Sequence, residues 1–314
     1  MLLVLVSPRA TKDPEALLSS IISRLDTTVR ATRDDRAVWE DQAQGKNRSR
    51  LRGDRGALLV RRDLGDDGVV RFEKVWGRIE MIVLDAVGTL IEPWPSVAEA
   101  YARVALKQGV SMTKEDVQAR FRTAFQRDDQ VENPESLVTD EATEVERWRG
   151  IVRSVLPGLP DPDRAFADLW KNFGSPSAWR CYPDVADALD RFGRHGLRLA
   201  IASNFDSRLE AVVRGLPDLA RHAPTLVISS QVGFKKPHPA FYEKLCELVE
   251  LSQDRLLMVG DDLKNDVEAA RLAGLQSIWL DRSGRSVSGD SDRVPNLDEL
   301  ATDFESWRGN SRLI

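Results

Sequence analysis

The stretch MIVLDAVGTL, residues 81–90, decides the fold. Its first four residues are apolar and precede a carboxylate, Asp85, which is the pattern of a buried strand in a parallel sheet. Open α/β sheets bind their ligands at the carboxyl ends of such strands. Gly88 permits a sharp turn there and is expected to expose backbone N–H groups to a ligand. The sequence therefore predicts Asp85 as a nucleophile, against the alternative that this residue merely begins a loop.

Strand and helix patterns alternate along the second half of the chain. Four further strands are predicted, over residues 197–202, 226–229, 256–259 and 276–280. Helices are predicted between and after them, over residues 184–195, 207–214, 239–249, 265–273 and 297–307. Such alternation implies right-handed crossovers and a parallel sheet. The sequence thus predicts an α/β fold, with a Rossmann-like, doubly wound parallel sheet built from residues 79–95 and 179–308.

Residues 96–178 carry helical apolar stripes in place of strand patterns. Four helices are predicted there, over residues 96–108, from Thr113 onward, over 141–156 and over 162–173. Because they follow the first strand directly, the sequence predicts an all-helical domain inserted into the sheet domain. The aromatic residues of this insertion are interpreted as the core of a helical bundle in preference to a substrate pocket.

Residues 1–78 differ from the rest of the chain in composition. An amphipathic helix is predicted over residues 14–25, and residues 28–67 are rich in arginine and aspartate with few apolar positions. This region is interpreted as a weakly ordered N-terminal extension. Two alternatives stand beside that interpretation: a basic arm at residues 46–55 that contacts nucleic acid or a partner, and a true start of the protein at Met81.

The composition restricts the class of protein. A chain of 314 residues is long enough for about two domains, and its net charge of −5 argues against a protein that coats nucleic acid. Its two cysteines, Cys181 and Cys246, lie in no disulfide or zinc-binding pattern, which is typical of a reducing cytoplasm. The apolar residues 1–6 are too few for a membrane span or a secretion signal. A cytoplasmic protein is expected, without a nucleic-acid or membrane partner.

Polar side chains follow two more of the predicted strands. Ser203 and Asn204 come after the strand 197–202 and just before a helix, where a hydroxyl and backbone N–H groups suit an anion such as phosphate. Lys235 and Lys236 follow the strand 226–229, and a lysine there could neutralise phosphate charge.

An acidic cluster follows the strand 256–259. Asp261, Asp262 and Asp266 fall within six residues, and such carboxylates repel one another unless a cation lies among them. A cluster of hard oxygen ligands suits Mg²⁺. Because the carboxyl ends of parallel strands meet at one edge of a sheet, we expect the cluster to converge with Asp85.

The order and spacing of these groups resemble the haloacid dehalogenase-like (HAD) hydrolase superfamily over residues 81–285. The helical insertion resembles the small cap of that superfamily's first subfamily. The sequence SNFDSRL, residues 203–209, is similar to that of a group of uncharacterised members. Residues 1–78 do not resemble the family.

The resemblance implies a role for each matching residue. Asp85 would be the nucleophile that forms an aspartyl-phosphate, and Ser203 would hold the transferring phosphoryl oxygens. Lys236, in preference to Lys235, would screen the charges of nucleophile and phosphate. The remaining substrate-binding positions would be Gly88, Thr89 and Asn204.

Mg²⁺ is the cofactor that the resemblance implies. Asp85, the backbone carbonyl of Val87 and Asp261 would bind it, and Asp266 would hold a metal-bound water or the lysine. Asp262 is a further candidate that would assist. The substrate implied is a small phosphorylated metabolite.

Val87 departs from the family's phosphatases, which place a second aspartate there as general acid and base. General acid–base catalysis contributes about 10²–10⁴-fold in rate. Three hypotheses follow: a Mg²⁺-dependent phosphate-ester hydrolase of reduced or specialised activity, which we favour; a phosphonate or carbon–halogen hydrolase; and a catalytically silent binding protein. For the phosphonate chemistry, the candidate cap lysines are Lys107, Lys114 and Lys171.

Overall fold

The computed structural model describes residues 63–64, 70–71, 76–129, 137–284 and 292–311. The predicted helix at residues 14–25, the basic arm at 46–55 and the apolar residues 1–6 lie outside this part of the chain. Two short strands precede the main fold, Asp63–Leu64 and Val70–Arg71, and they pair antiparallel.

A six-stranded parallel sheet forms the centre of the fold. We number its strands β1 to β6 along the chain: Met81–Leu84, Arg198–Ser203, Thr225–Ile228, Leu256–Gly260, Gln276–Leu280 and Arg293–Val294. Their spatial order is β6-β5-β4-β1-β2-β3, with β1 near the middle. The predicted Rossmann-like sheet is confirmed, and β6 is a strand that the sequence analysis missed.

Helices cover both faces of the sheet because its strands are apolar on both sides. Along β1, Ile82 and Leu84 belong to one hydrophobic cluster, whereas Met81 and Val83 belong to another on the opposite face. Four helices of eight or more residues accompany the sheet, and we number them after the four inserted helices described below: α5 Val185–Arg194, α6 Arg208–Gly215, α7 Pro239–Val249 and α8 Leu297–Ser311.

Shorter helical turns complete these layers: Pro176–Ala178, Pro217–Ala220, Ser229–Val232, Gln253–Arg255 and Ala269–Leu272. The helix predicted over residues 265–273 is a π-helix, Leu263–Glu268, followed by the turn Ala269–Leu272. Single-turn π-helices often occur at functional sites.

Four helices in the described part of residues 96–178 form the insertion that follows β1, where the sequence predicts them. They are α1 Val97–Lys107, α2 Lys114–Asp129, α3 Glu141–Val155 and α4 Pro162–Phe173, and they share their own hydrophobic cluster. A short antiparallel pair, Ile91–Pro93 with Trp179–Cys181, joins this insertion to the sheet. In the described part of the chain, no helix combines the length and apolarity needed to cross a membrane.

Trp76 extends the fold upstream of the predicted boundary at residue 79. Its side chain is 2% exposed, packs 4.8 Å from the ring of Phe304 in α8 and donates from Nε1 to Asp303 Oδ2 at 2.8 Å. The sheet domain therefore includes residues before Met81, so the interpretation of all residues up to 78 as an extension is corrected. A protein starting at Met81 would lack this core residue.

Candidate active site

Four segments of the chain meet at the carboxyl ends of the central strands. Asp85 directly follows β1, Ser203 ends β2 and Asp261 directly follows β4. Lys236 lies beyond β3 and reaches the same place with its side chain. Because β1 lies between β2 and β4, the ends of these strands are neighbours. The structure thus brings together the groups that the sequence analysis assigned to one site.

Lys236 connects these segments through its ammonium group. Nζ donates to Asp85 Oδ1 at 2.8 Å, to Asp266 Oδ1 at 2.6 Å and to the carbonyl oxygen of Ala202 at 2.8 Å. Although burial alone lowers the pKa of Lys236, the carboxylates of Asp266 and Asp85 outweigh burial and hold the pKa above its usual value. Lys236 is therefore a charged, buried ammonium shared by two carboxylates.

Asn204 positions this lysine through its backbone. Its Nδ2 donates to the carbonyl oxygen of Lys236 at 2.9 Å, and its Oδ1 accepts from the N–H of Lys236 at 2.7 Å. Asn204 also lines the cavity, so its role in binding substrate stays a prediction beside this contact with Lys236. A two-point contact of this kind fixes where the lysine enters the site.

Asp85, Asp261 and Asp266 each present one carboxylate oxygen, and these three oxygens lie within 4.8 Å of one another. Two glycines permit this approach. A Cβ atom on Gly88 would collide with the Asp261 carboxylate, and a Cβ atom on Gly260 would collide with the Asp266 carboxylate. The close spacing of the three acids therefore depends on glycine at both positions.

The charge of this cluster is only partly compensated. Desolvation in the pocket and the charges of Asp85 and Asp266 raise the pKa of Asp261 to about 7, and burial also raises the pKa of Asp266 above its usual range. Three carboxylates face one ammonium, that of Lys236. A divalent cation with a preference for oxygen ligands matches such a charge excess, and this donor set fits Mg²⁺.

Asp262 supports the acidic cluster through its hydrogen bonds. Its Oδ1 accepts from the N–H of Asn265 at 2.9 Å and its Oδ2 accepts from Nδ2 of Asn265 at 3.0 Å. Its own N–H donates to Asp266 Oδ2 at 3.1 Å. Asp262 therefore caps the π-helix and helps to orient Asp266.

Gly88 and Thr89 do not offer the substrate contacts that were predicted. The N–H of Gly88 donates to the carbonyl oxygen of Ile91 at 2.9 Å, so it is occupied. Thr89 is fully buried; its Oγ1 donates to Asp261 Oδ1 at 3.4 Å, and its carbonyl oxygen accepts from Arg282 at 2.7 Å. Both residues shape the loop that carries Asp85 and orient Asp261.

Val87 and Ser203 both face the space above the carboxylates. Ser203 is 3% exposed and Val87 is 36% exposed, and both line the cavity that opens there. Val87 occupies the position two residues after Asp85, and its side chain has no proton to exchange. The apolar side chain is thus located where the resemblance places a general acid.

A cavity of about 780 Å³ separates this edge of the sheet from the inserted helices. Asp85, Ser203 and Lys236 line one part of it, and aromatic side chains of the insertion, Phe121 and Trp148 among them, line another. Phe121 and Trp148 also pack against the hydrophobic cluster of the inserted helices, so the interpretation of the aromatic residues as bundle core is confirmed, and the structure adds that these rings line the cavity as well. Sequence periodicity could not distinguish the two, because a ring that lines a cavity and a ring in the core occupy the same helix face.

The three lysines considered for phosphonate chemistry do not lie at the site. Lys107, Lys114 and Lys171 are exposed, and none of them lines the cavity. Lys235 and Lys264 line it instead. Lys107, Lys114 and Lys171 are absent from the cavity because they lie on the outward faces of their helices.

Contacts between the insertion and the sheet edge were not found by sequence reasoning. Arg208 pairs with both carboxylate oxygens of Asp206 at 2.7 Å, donates to the carbonyl oxygen of Trp170 at 3.1 Å and stacks 3.4 Å from that ring's centroid. Glu141, at the start of α3, accepts from the N–H of Ser207 at 2.9 Å. The sequence offered one signal for these contacts, namely the opposite charges of Asp206 and Arg208, two positions apart in SNFDSRL.

Comparison with known proteins identifies the family. Residues 79–274, more than half of the chain, match the family described as haloacid dehalogenase-like hydrolase. This chain belongs to that family. The resemblance found in the sequence is thereby confirmed for the HAD-like hydrolases, whereas the subfamily stays a prediction.

Individual HAD-like proteins resemble the chain to different extents. Haloacid dehalogenase-like hydrolase domain-containing protein 3 of Danio rerio is 28% identical over 209 residues, which are 65% of this chain and 86% of that protein. Phosphoserine phosphatase of Thermus thermophilus is 31% identical over 140 residues, 45% of this chain and 55% of that protein. The putative HAD-hydrolase YfnB from Bacillus subtilis has a similar fold, with a TM-score of 0.60 at 18% identity over 73% of this chain and 99% of that chain.

Proposed function

We propose that this HAD-like hydrolase is a Mg²⁺-dependent phosphoric monoester hydrolase that reacts through an aspartyl-phosphate on Asp85. One observation carries the proposal: Asp85, Ser203, Lys236 and the carboxylates of Asp261 and Asp266 surround a single point at the end of β1. The phosphoserine phosphatase of Thermus thermophilus, 31% identical over 140 residues, supports this choice of reaction.

Asp85 has the environment of a nucleophile in this proposal. A carboxylate oxygen attacks phosphorus, the bond between phosphorus and the ester oxygen breaks, and the alcohol leaves; water then hydrolyses the aspartyl-phosphate to regenerate Asp85. The ammonium of Lys236, 2.8 Å from Asp85 Oδ1, reduces the repulsion between this carboxylate and an incoming phosphate. The hydroxyl of Ser203 faces the same cavity and is placed to donate to a phosphoryl oxygen.

Asp85, Asp261 and Asp266 are the side chains that would hold Mg²⁺. When bound, the cation supplies positive charge that offsets the repulsion between a carboxylate and a phosphate. Within the chain, Thr89 and the loop at Gly88 orient Asp261, and Asp262 orients Asp266. The Mg²⁺ site therefore depends on hydrogen bonds that already exist between these loops.

Val87 determines what kind of ester the site can cleave. Without an acid at this position, the leaving alcohol must take its proton from water or depart with little protonation, and about 10²–10⁴-fold in rate is forgone for poor leaving groups. We therefore expect modest turnover, greatest for esters of acidic alcohols. Because Lys107, Lys114 and Lys171 are exposed and do not line the cavity, the phosphonate alternative is weakened. The acidic cluster weakens the metal-free carbon–halogen alternative.

The test measures phosphate release from 4-nitrophenyl phosphate by the purified full chain with Mg²⁺ and with EDTA. We expect turnover that EDTA abolishes and that Asp85→Asn lowers by at least about 10²-fold, with Asp116→Asn on the exposed face of α2 as the matched control. Absence of Mg²⁺-dependent turnover on any phosphate ester, with the fold intact, would refute the proposal. Chloride release from a 2-haloacid that EDTA leaves unchanged would establish carbon–halogen hydrolysis in its place.

A further inference from the structure

The wall of the cavity opposite the carboxylates is built from aromatic rings. Nine aromatic side chains line the cavity: Tyr101, Phe121, Phe125, Trp148, Phe166, Trp170, Phe173, Trp179 and Phe205. Six of these are only half-buried, namely Phe121, Phe125, Trp148, Trp170, Phe173 and Phe205. Half-buried rings that share one cavity leave apolar surface in contact with water, which is unfavourable for the empty protein and favours a ligand that covers it.

Seven of the rings form an unbroken row from the catalytic edge to α3. Successive ring centroids are 5.9, 5.9, 6.4, 5.6, 5.8 and 6.3 Å apart along the series Phe205, Trp179, Phe173, Tyr101, Phe121, Phe125 and Trp148. Phe205 lies two residues beyond Ser203, so the row begins beside the phosphate-binding hydroxyl. A ligand anchored at Asp85 would therefore extend along aromatic surface.

The two arginines of the cavity are already paired with carboxylates. Arg208 engages both oxygens of Asp206, and Arg147 pairs with the buried Glu144 at 3.2 Å. Each guanidinium also lies over aromatic rings, that of Arg147 at 5.4 Å from Phe125. Because their charges are compensated, these arginines act as walls of the cavity, and the other cations that line it are Lys235, Lys236 and Lys264.

We infer that the substrate is a phosphate monoester whose organic part is an aromatic group, bound along this row of rings with the phosphate at Asp85. The inference rests on the proposed phosphatase function for its anionic end, whereas the aromatic end rests on the cavity alone. A volume of about 780 Å³ is within the usual range for sites of small ligands and exceeds what a phosphate group alone would fill. Burial of one phenyl ring against such a wall increases affinity substantially.

The test compares the binding of 2-phenylethylphosphonate and ethylphosphonate, which differ by one phenyl ring and have no ester bond to cleave. Calorimetry on the full chain with Mg²⁺ is expected to give about 30-fold tighter binding of the phenyl compound, which corresponds to about 2 kcal/mol. Trp148→Leu and Phe121→Leu, each checked for folding by its melting temperature, are expected to reduce this preference at least threefold. Trp94→Leu is the matched control, because Trp94 is 52% exposed and does not line the cavity.

Three results would overturn the inference: equal affinity for the two phosphonates, no measurable binding of the phenyl compound, or an undiminished preference in both cavity variants. A turnover arm separates this inference from the proposed function. If 2-phenylethyl phosphate and ethyl phosphate are both hydrolysed with equal kcat/KM and the phosphonates bind equally, the phosphatase function stands and the aromatic site is refuted. If the phenyl phosphonate binds preferentially while neither ester is hydrolysed, the aromatic site stands and the phosphatase function is refuted.

Discussion

Replacement of Lys236 by methionine tests the electrostatic account of the site. The substitution keeps an unbranched chain in a buried position and removes the ammonium that contacts Asp85 at 2.8 Å and Asp266 at 2.6 Å. Removal of one partner from a buried ion pair costs about 3–5 kcal/mol, because the other charge stays buried without compensation. At about 2–4 °C per kcal/mol for a domain of this size, we expect Tm to fall by about 10 °C.

The pH dependence of this loss follows from the carboxylates. The native-state pKa values of Asp261 and Asp266 are raised above their unfolded values, so the native state binds more protons than the unfolded state between about pH 4 and pH 7. Their contribution to stability is therefore present below about pH 4 and is lost as the pH rises toward 7. Removal of the Lys236 ammonium favours protonation further, so the variant should be destabilised more at pH 8 than at pH 5.

Calorimetric unfolding at pH 5 and pH 8 provides the measurement, with Lys235→Met as the matched control. Lys235 is adjacent in sequence and lines the cavity, but its side chain is outside the ion pairs of the cluster. We expect the control to change stability by less than about 0.5 kcal/mol. Equal losses in the two variants, or a loss in Lys236→Met that is the same at both pH values, would refute the reasoning.

Four further predictions concern the cation, the missing acid and the edge of the fold. Mg²⁺ at 100 times its Kd should stabilise the protein by about 2.7 kcal/mol at pH 8 and by less at pH 5, because protons compete at Asp261; a Tm response independent of pH would contradict this. Gly88→Ala should abolish the Mg²⁺-induced rise in Tm, since its Cβ displaces the Asp261 carboxylate at a positive φ of 92°; an unchanged response would show that the close approach is unimportant. Val87→Asp should raise kcat on alkyl phosphates by at least about 10-fold, and no gain would mean that the acid comes from elsewhere. Trp76→Ala should lower the free energy of unfolding by about 3–5 kcal/mol in urea denaturation, and a change under about 1 kcal/mol would place Trp76 outside the core.

The sequence predicted the parallel sheet well because its signal is local. Runs such as Met81–Leu84 are apolar at every position, and Gln276–Leu280 begins and ends where the pattern predicts. Chain order also predicted the convergence of Asp85, Ser203 and Asp261, since parallel strands bring their carboxyl ends to one edge. Short elements were missed, as with Arg293–Val294, because two residues carry too little periodicity to detect.

Contacts between distant residues could not be predicted in the same way. The sequence suggested Gly88 and Asn204 as substrate contacts, yet the N–H of Gly88 is bound to Ile91 and the amide of Asn204 is bound to Lys236. Whether a polar group is available depends on its partner, and that partner is selected by packing. The same holds for the burial of Trp76 against Phe304, 228 positions later in the chain.

By itself, the sequence determined the fold class, the family and the identity of the chemical groups at each strand end, because each of these depends on residue type and short-range spacing. The tertiary structure alone decided which of these groups already have a hydrogen-bond partner in the protein. It also decided that Lys236 bridges Asp85 and Asp266, and that the rings of the insertion line a cavity beside them. The physical reason is that hydrogen-bond distances and the open side of a helix are set by the packing of segments far apart in the chain, 30 residues for Lys236 and Asp266 and 151 for Lys236 and Asp85, which no local pattern records.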